Sequence, residues 1–208
     1  MSVDTLFYWV GMAAVAVNAL TGVLDSGRKH MDLVGALLVG VATALGGGTV
    51  RDLLLDRNVF WVTDQAYLMA ALGSGFITFF IARRLDIPPR LFLIPDAIGL
   101  ALFTVVGTQV ALQWHTPWLV ASLMGMITAV IGGVLRDILC NDVPMVFLKG
   151  ELYASAAWIG AMTLIGLQAL DVHVVDATWT AMAVVLTLRL AAMRFKLTLP
   201  AFRNDHEA

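Results

Sequence analysis

The sequence is short of charge: Asp, Glu, Lys and Arg make up only 13% of its 208 residues, where soluble domains carry about a quarter. Hydrophobic residues reach 60% and the mean hydropathy is +0.85. A soluble core cannot hide that much apolar surface, so lipid is the expected solvent for most of the chain. Cysteine is almost missing. The single Cys140 excludes an intrachain disulfide framework and a thiolate metal cluster. The four histidines, His30, His115, His173 and His206, are scattered without ligand spacing. There is no HExxH and no serine in a GxSxG elbow, and the one glycine-rich string lacks the GK[ST] of a phosphate loop. No catalytic role, metal or cofactor is therefore expected, and no nucleic-acid partner; Asp52, Asp56 and Asp64 read as a solvated face rather than a divalent site. The N-terminus lacks a basic region and a small-residue cleavage site, so the first apolar segment is expected to stay as a membrane helix.

What is abundant is long apolar runs. A bilayer core needs about 20 apolar residues per spanning helix, and seven segments approach that length: 5–24, 33–54, 66–82, 91–112, 118–139, 152–170 and 177–194. The polar breaks between them are short, so residues 1–208 read as a single all-α membrane domain. Basic residues set the orientation. With the N-terminus outside, Arg28, Lys29, Arg83, Arg84, Arg90, Arg136, Lys149, Arg189, Arg194, Lys196 and Arg203 fall inside, against Arg51 and Arg57 outside. That 11-to-2 asymmetry predicts a cytoplasmic C-terminus and an odd number of spans.

The sequence also matches itself at a shift of 85 residues. Gly22 falls on Gly107, Ala36 on Ala121, Gly40 on Gly125, Thr43 on Thr128, Gly47 on Gly132, Arg51 on Arg136, Asp52 on Asp137 and Gly75 on Gly160. Two units, about 5–84 and 91–170, then hold three spans each, with an extra helix at about 177–194. Three is odd, so the second unit enters the membrane with opposite polarity, the inverted-repeat plan of many transport proteins.

Both copies place glycines one turn before an Arg-Asp pair within a span: Gly46, Gly47 and Gly48 before Arg51-Asp52, and Gly132 and Gly133 before Arg136-Asp137. Consecutive glycines permit a bend with exposed carbonyls. In lipid such backbone is tolerated only where protein or a water-filled cavity covers it. Close helix packing is the other reading. Ionisable groups inside spans usually face a polar interior or one another, although both arginines also lie near helix ends, from which they can snorkel. Sequential residues on a helix do not face each other, so each arginine is expected to pair with an acid elsewhere. Asp96, just inside the fourth span, serves equally as that acid or as a favourable charge at a helix N-terminus. Asn18, Thr104 and Thr108 add polarity without charge, and Thr43, Thr49 and Thr128 are the candidates to line a path. Hydroxyls in membrane helices usually bond back to their own backbone.

At these residues a resemblance enters. The string from Ala44 to Leu54 around Gly46-Gly47-Gly48-Thr49-Val50-Arg51-Asp52, the later Phe60-Trp61-Val62, and the stretch from Asp96 to Thr104 resemble the bacterial membrane proteins of the glycine transporter domain family. Those are similar in architecture to the trimeric intracellular cation channels, the TRIC family. The resemblance covers about residues 5–195. It implies seven helices, an inverted three-plus-three repeat, a homotrimer and one pore in each protomer between bent second and fifth spans. It implies a bacterial or archaeal cell-membrane location, and potassium or sodium as the permeant. Basic residues that bind inositol lipids in eukaryotic relatives leave only Arg136 here as a candidate lipid contact. The leading expectation is a monovalent cation channel gated by the network of Arg51, Asp52, Asp96, Arg136 and Asp137. A secondary transporter of a small zwitterion such as glycine is the alternative, and a scaffold without a permeant is the third.

Overall fold

A computed structural model describes residues 3–85, 88, 91–148 and 152–198, and every regular element among them is helical. In order these are α1 (Val3–Gly27), α2 (Leu33–Leu54), the short α3 (Phe60–Thr63), α4 (Gln65–Ala82), α5 (Leu93–Gln113) and α6 (Trp118–Leu139). A 3₁₀ turn (Met145–Phe147), α7 (Tyr153–Ala169) and α8 (Val174–Phe195) follow. Among the described residues six helices are long and apolar enough to cross a membrane. Helix α7, at 17 residues, falls short of the about 20 that a full span takes. The chain is a multi-pass membrane protein.

Local sequence explains where the helices start and turn. Asp32 caps α2 by accepting from the Gly35 N–H at 2.7 Å, and Asp64 caps α4 by accepting from Ala66 N–H at 2.9 Å. Left-handed residues close the helix ends: His30 (φ 55°) and His115 (φ 54°) after α1 and α5, Asp56 (φ 49°) and Asn141 (φ 55°) after α2 and α6. Both pairs are separated by the 85 residues of the sequence match, and α2 and α6 have the same 22-residue length with starts 85 apart.

Small residues bring the helices together. Ala14, Ala19, Ala36, Ala44, Ala121 and Ala129 are buried in the core, as expected where lipid removes the hydrophobic force between helices and close backbone approach must supply attraction. Helix α1 packs on α2 and α4, α5 packs on α6 and α8, and the two groups meet along α1–α5 and α2–α6. The α2–α6 crossing is reciprocal. A Cβ placed on Gly47 would fall on the Thr128 carbonyl oxygen, and one on Gly132 would fall on the Thr43 carbonyl oxygen. Both helices run uninterrupted through their glycines. Gly46 packs on Leu135, Gly48 on Phe60 and Gly133 on the Tyr153 hydroxyl. Outward faces stay apolar: α4 buries only Ala71, Gly75 and Thr78, and exposes Met69, Phe76, Ile77 and Ile81.

Side-chain pairs define the two ends of the bundle. At one, Gln113 Nε2 donates to Asp4 Oδ1 at 3.5 Å and the Arg57 guanidinium lies 5.2 Å from the Trp114 ring centre. At the other, Lys29 Nζ bonds Asp142 Oδ1 at 2.7 Å and Arg189 lies 4.8 Å from the Tyr153 ring centre. Arg90, Lys149 and Arg203, counted among the inner charges, lie outside the described residues. Arg136 and Arg189 are fully buried and Arg51 nearly so, which makes them core residues, not loop charges. Without them the asymmetry is nine against Arg57 alone.

Candidate functional site

Two buried arginine clusters, one at each end of the α2–α6 crossing, carry the charge of this interior. Each begins as a helix-end staple. After α2, Asp52 Oδ2 accepts from the Phe60 backbone N–H at 2.9 Å; after α6, Asp137 Oδ2 accepts from the Met145 N–H at 2.8 Å. The other oxygen of each carboxylate faces the preceding arginine. Arg51 Nε donates to Asp52 Oδ1 at 2.8 Å, and Arg136 Nε and Nη2 donate to Asp137 Oδ1 at 2.9 and 2.8 Å.

This corrects one expectation. Sequential residues were expected not to pair, yet both arginines bond the aspartate that follows them. The spacing rule concerns Cβ directions, and the long arginine side chain folds back to a carboxylate already fixed by a loop N–H. Snorkelling is also excluded, because Arg51 is 3% and Arg136 0% exposed.

The clusters then diverge. Arg136 Nη1 donates to Asp96 Oδ1 at 2.5 Å, and Arg136 Nε stands 3.4 Å from Asp25 Oδ2. Tyr153 donates its hydroxyl to the same Asp96 oxygen at 3.1 Å, and Phe92 presents its ring 5.0 Å below the guanidinium. Three carboxylates thus surround one buried cation, with Arg28 bonding Asp25 Oδ1 at 2.6 Å from the rim. Asp96 Oδ2 is buried without a hydrogen-bond partner. The two readings of Asp96 coincide: it lies in the first turn of α5 and it is an acid for Arg136.

Among the described residues the one carboxylate within bonding distance of Arg51 is Asp52, which Arg57 Nε also approaches at 3.5 Å. Phe60 lies 5.6 Å from the Arg51 guanidinium. A cavity of about 240 Å³ opens beside it, lined by Arg51, Arg57, Tyr8, Tyr67, Gly11 and Gln113 among others.

The threonines behave as expected for membrane helices. Thr43 and Thr128 are fully buried and donate to the carbonyls of Val39 (2.7 Å) and Met124 (2.6 Å). Thr49 donates to Leu45 O at 2.7 Å and accepts from Trp61 Nε1 at 2.9 Å. Asn18 donates to Ala14 O at 2.8 Å and packs on Gly99. Asp52, Asp56 and Asp64 do not converge, and no metal-holding group of His, Cys, Asp or Glu occurs among the described residues. Sequence reasoning missed Asp25, Tyr153 and Arg189. Asp25 was read as the start of a polar break, yet α1 continues to Gly27; its i,i+3 spacing to Arg28 was the available signal.

Comparison with known proteins agrees with this architecture. The family model described as glycine transporter matches residues 8–83 and again 93–169, two stretches whose starts are 85 apart. The inner membrane protein YadS of Escherichia coli (strain K12) is 40% identical over 203 residues, covering 96% of this chain and 98% of that protein. Among solved structures, the TRIC trimeric intracellular cation channel orthologue from Rhodobacter sphaeroides superposes with a TM-score of 0.88 at 37% identity, covering 93% of this chain and all of that one. A second structure, from work on conductance through TRIC cation channels, gives a TM-score of 0.85 at 32% identity and covers 99% of both chains.

Proposed function

The chain belongs to the glycine transporter family of membrane proteins and has the fold of the TRIC channels, and from that premise we propose that it is a cation channel of the bacterial inner membrane. It carries potassium and sodium through one pore in each protomer of a homotrimer. Two inverted three-helix units, about 5–84 and 91–170, and an extra helix at about 177–194 span the bilayer with the N-terminus outside. The pore follows the α2–α6 crossing past Gly46–Gly48 and Gly132–Gly133.

The observation that carries this reading is the full-length likeness to the Rhodobacter sphaeroides channel at 37% identity. The interior chemistry supports it. A fixed arginine repels cations, but Arg136 is met by Asp25, Asp96 and Asp137, so its surroundings are acidic in sum. The unbonded Asp96 Oδ2 offers a cation a ligand at that point. Thr43, Thr49 and Thr128 give their protons to backbone carbonyls, which leaves each oxygen an acceptor; Thr49 accepts from Trp61 Nε1, and Thr43 and Thr128 lie against Gly22 and Gly107. The reciprocal Gly47–Thr128 and Gly132–Thr43 contacts hold the two helices at backbone distance, where rotation of one about the other changes the bore.

Purified protein in liposomes tests the reading. A voltage-driven potassium flux that does not saturate, and that Asp96→Asn reduces, is the expected result. Saturable, gradient-coupled glycine uptake would replace the channel with the second reading, carriage of a small zwitterion, which the cavity beside Arg51 favours. Absence of both fluxes would leave the glycines to packing alone. Crosslinking in the membrane should stop at trimers; dimers alone would defeat the assembly.

A further inference from the structure

The two arginine clusters differ by what stands at corresponding positions, and the difference defines a vacant place. Beside Arg136 the chain supplies the Asp96 and Asp25 carboxylates; 85 residues earlier and later, respectively, stand Gly11 and Val110. Both line the cavity of about 240 Å³ next to Arg51. Tyrosine is kept: Tyr153 donates to Asp96, and a Cβ built on Gly11 would stand 3.5 Å from the Tyr67 hydroxyl. We propose that this cavity binds a small carboxylate-bearing solute, whose carboxylate meets Arg51 and Tyr67 as Asp96 meets Arg136 and Tyr153.

Charge, size and access agree. Arg51 and Arg57 share Asp52, which leaves one positive charge uncompensated by the cluster itself. A buried cation gains most from a carboxylate delivered in hydrogen-bonding geometry. The volume lies below the about 300 Å³ at which pockets for drug-sized ligands begin, so the solute is a molecule of a few heavy atoms. Arg57 is partly exposed and Asp4 is exposed at the mouth, so solvent reaches the entrance. Asp4 also provides a counter-group for an ammonium, which separates two sources of the same chemistry: a simple carboxylate uses Arg51 and Tyr67 alone, and an amino-acid zwitterion uses Asp4 as well. The inference stands apart from ion permeation, since binding is measured without flux.

The test is calorimetric titration of the purified full-length protein with sodium acetate and with glycine, using methylammonium chloride at matched ionic strength as the control. Saturable heat from at least one carboxylate and none from methylammonium is expected. Gly11→Asp supplies the missing carboxylate at ordinary van der Waals distance from Tyr67, so it should weaken acetate or glycine binding about tenfold or more and raise the unliganded Tm. Arg57→Gln, at a partly exposed position, should weaken it several-fold and keeps the test meaningful if Gly11→Asp fails to fold. Asp4→Asn should weaken glycine and leave acetate unchanged. No saturable carboxylate binding, equal heat from methylammonium chloride, or an affinity unmoved by both Gly11→Asp and Arg57→Gln would overturn the proposal.

Discussion

Arg51 and Arg136 occupy corresponding turns of α2 and α6, follow the same glycines and bond the same next residue, yet one has a single carboxylate beside it and the other has three. What the halves share is what geometry demands: glycine where a facing carbonyl passes, and aspartate where a loop N–H must be met. What they do not share is charge balance. The second half completes its ion cluster from within the chain, with Asp25 coming from α1 and Asp96 from α5, whereas the first half leaves a cavity. One end of the crossing therefore draws its countercharges from other helices of the chain, and the other has a single carboxylate and a cavity of about 240 Å³ beside its arginine.

The largest difference between the halves is expected on removing each arginine. Arg136→Met takes a buried cation from three carboxylates, leaving Asp96 the Tyr153 hydroxyl, Asp137 the Met145 N–H and Asp25 the rim Arg28, and breaking a buried pair from one side costs about 3–5 kcal/mol. Arg51→Met strands only Asp52, which keeps the Phe60 N–H and Arg57, so its loss of thermal stability in detergent should be clearly smaller. Equal losses would deny the asymmetry.

Next come the glycines, where the halves should behave alike. Gly47→Ala and Gly132→Ala each drive a methyl into a backbone carbonyl, and overpacking of that kind costs about 1–3 kcal/mol. Gly73→Ala and Gly166→Ala, with nothing within 4 Å of the new methyl, should be neutral or slightly stabilising by unfolding assays. A tolerant Gly132 beside an intolerant Gly47 would mean that the crossing is not reciprocal.

A smaller effect is expected from Tyr153→Phe, which removes one hydrogen bond to a carboxylate still held by Arg136, worth about 1–2 kcal/mol. Smallest is a reactivity difference at the helix caps. Cys140 stands where the first half has Leu55, and burial together with the nearby Asp25 pushes its thiol up to about 12. The folded thiol stays protonated at pH 8, so maleimide should label Cys140 far more slowly in the native protein than after unfolding in denaturant. Rapid native labelling would place that cap in water.

Helix positions were legible because membrane-length apolar runs have few alternatives: α2 and α6 lie at residues 33–54 and 118–139, the ranges read from the sequence. Close packing of the halves was one of two readings of the matched glycines, beside a bend, and the reciprocal Gly47–Thr128 and Gly132–Thr43 contacts became visible only in the structure. The charge network was half legible. Asp96 and Arg136 stood inside apolar runs and announced themselves. Asp25 lay beside Arg28 and Lys29 at a segment end, where a solvated loop and a buried cluster read the same, and Arg189, inside the last apolar run, was counted with the charges of the inner end. The short α3 was hidden for a related reason: four residues between Asp56 and Asp64 have too little periodicity to be seen.

The adjacent placement of arginine and aspartate has a consequence for how the protein enters its membrane. A lone ionised side chain costs about 2.5–3.5 kcal/mol at the centre of an inserting helix and less toward its end, where Arg51 and Arg136 lie. Helix α2 emerges with its cation and countercharge on consecutive residues already able to bond each other at 2.8 Å, so it partitions as a net-neutral segment before any later helix is made. Helix α6 arrives with the same arrangement and finds Asp25 and Asp96 waiting in α1 and α5. Order of synthesis and order of charge neutralisation thus run in the same direction.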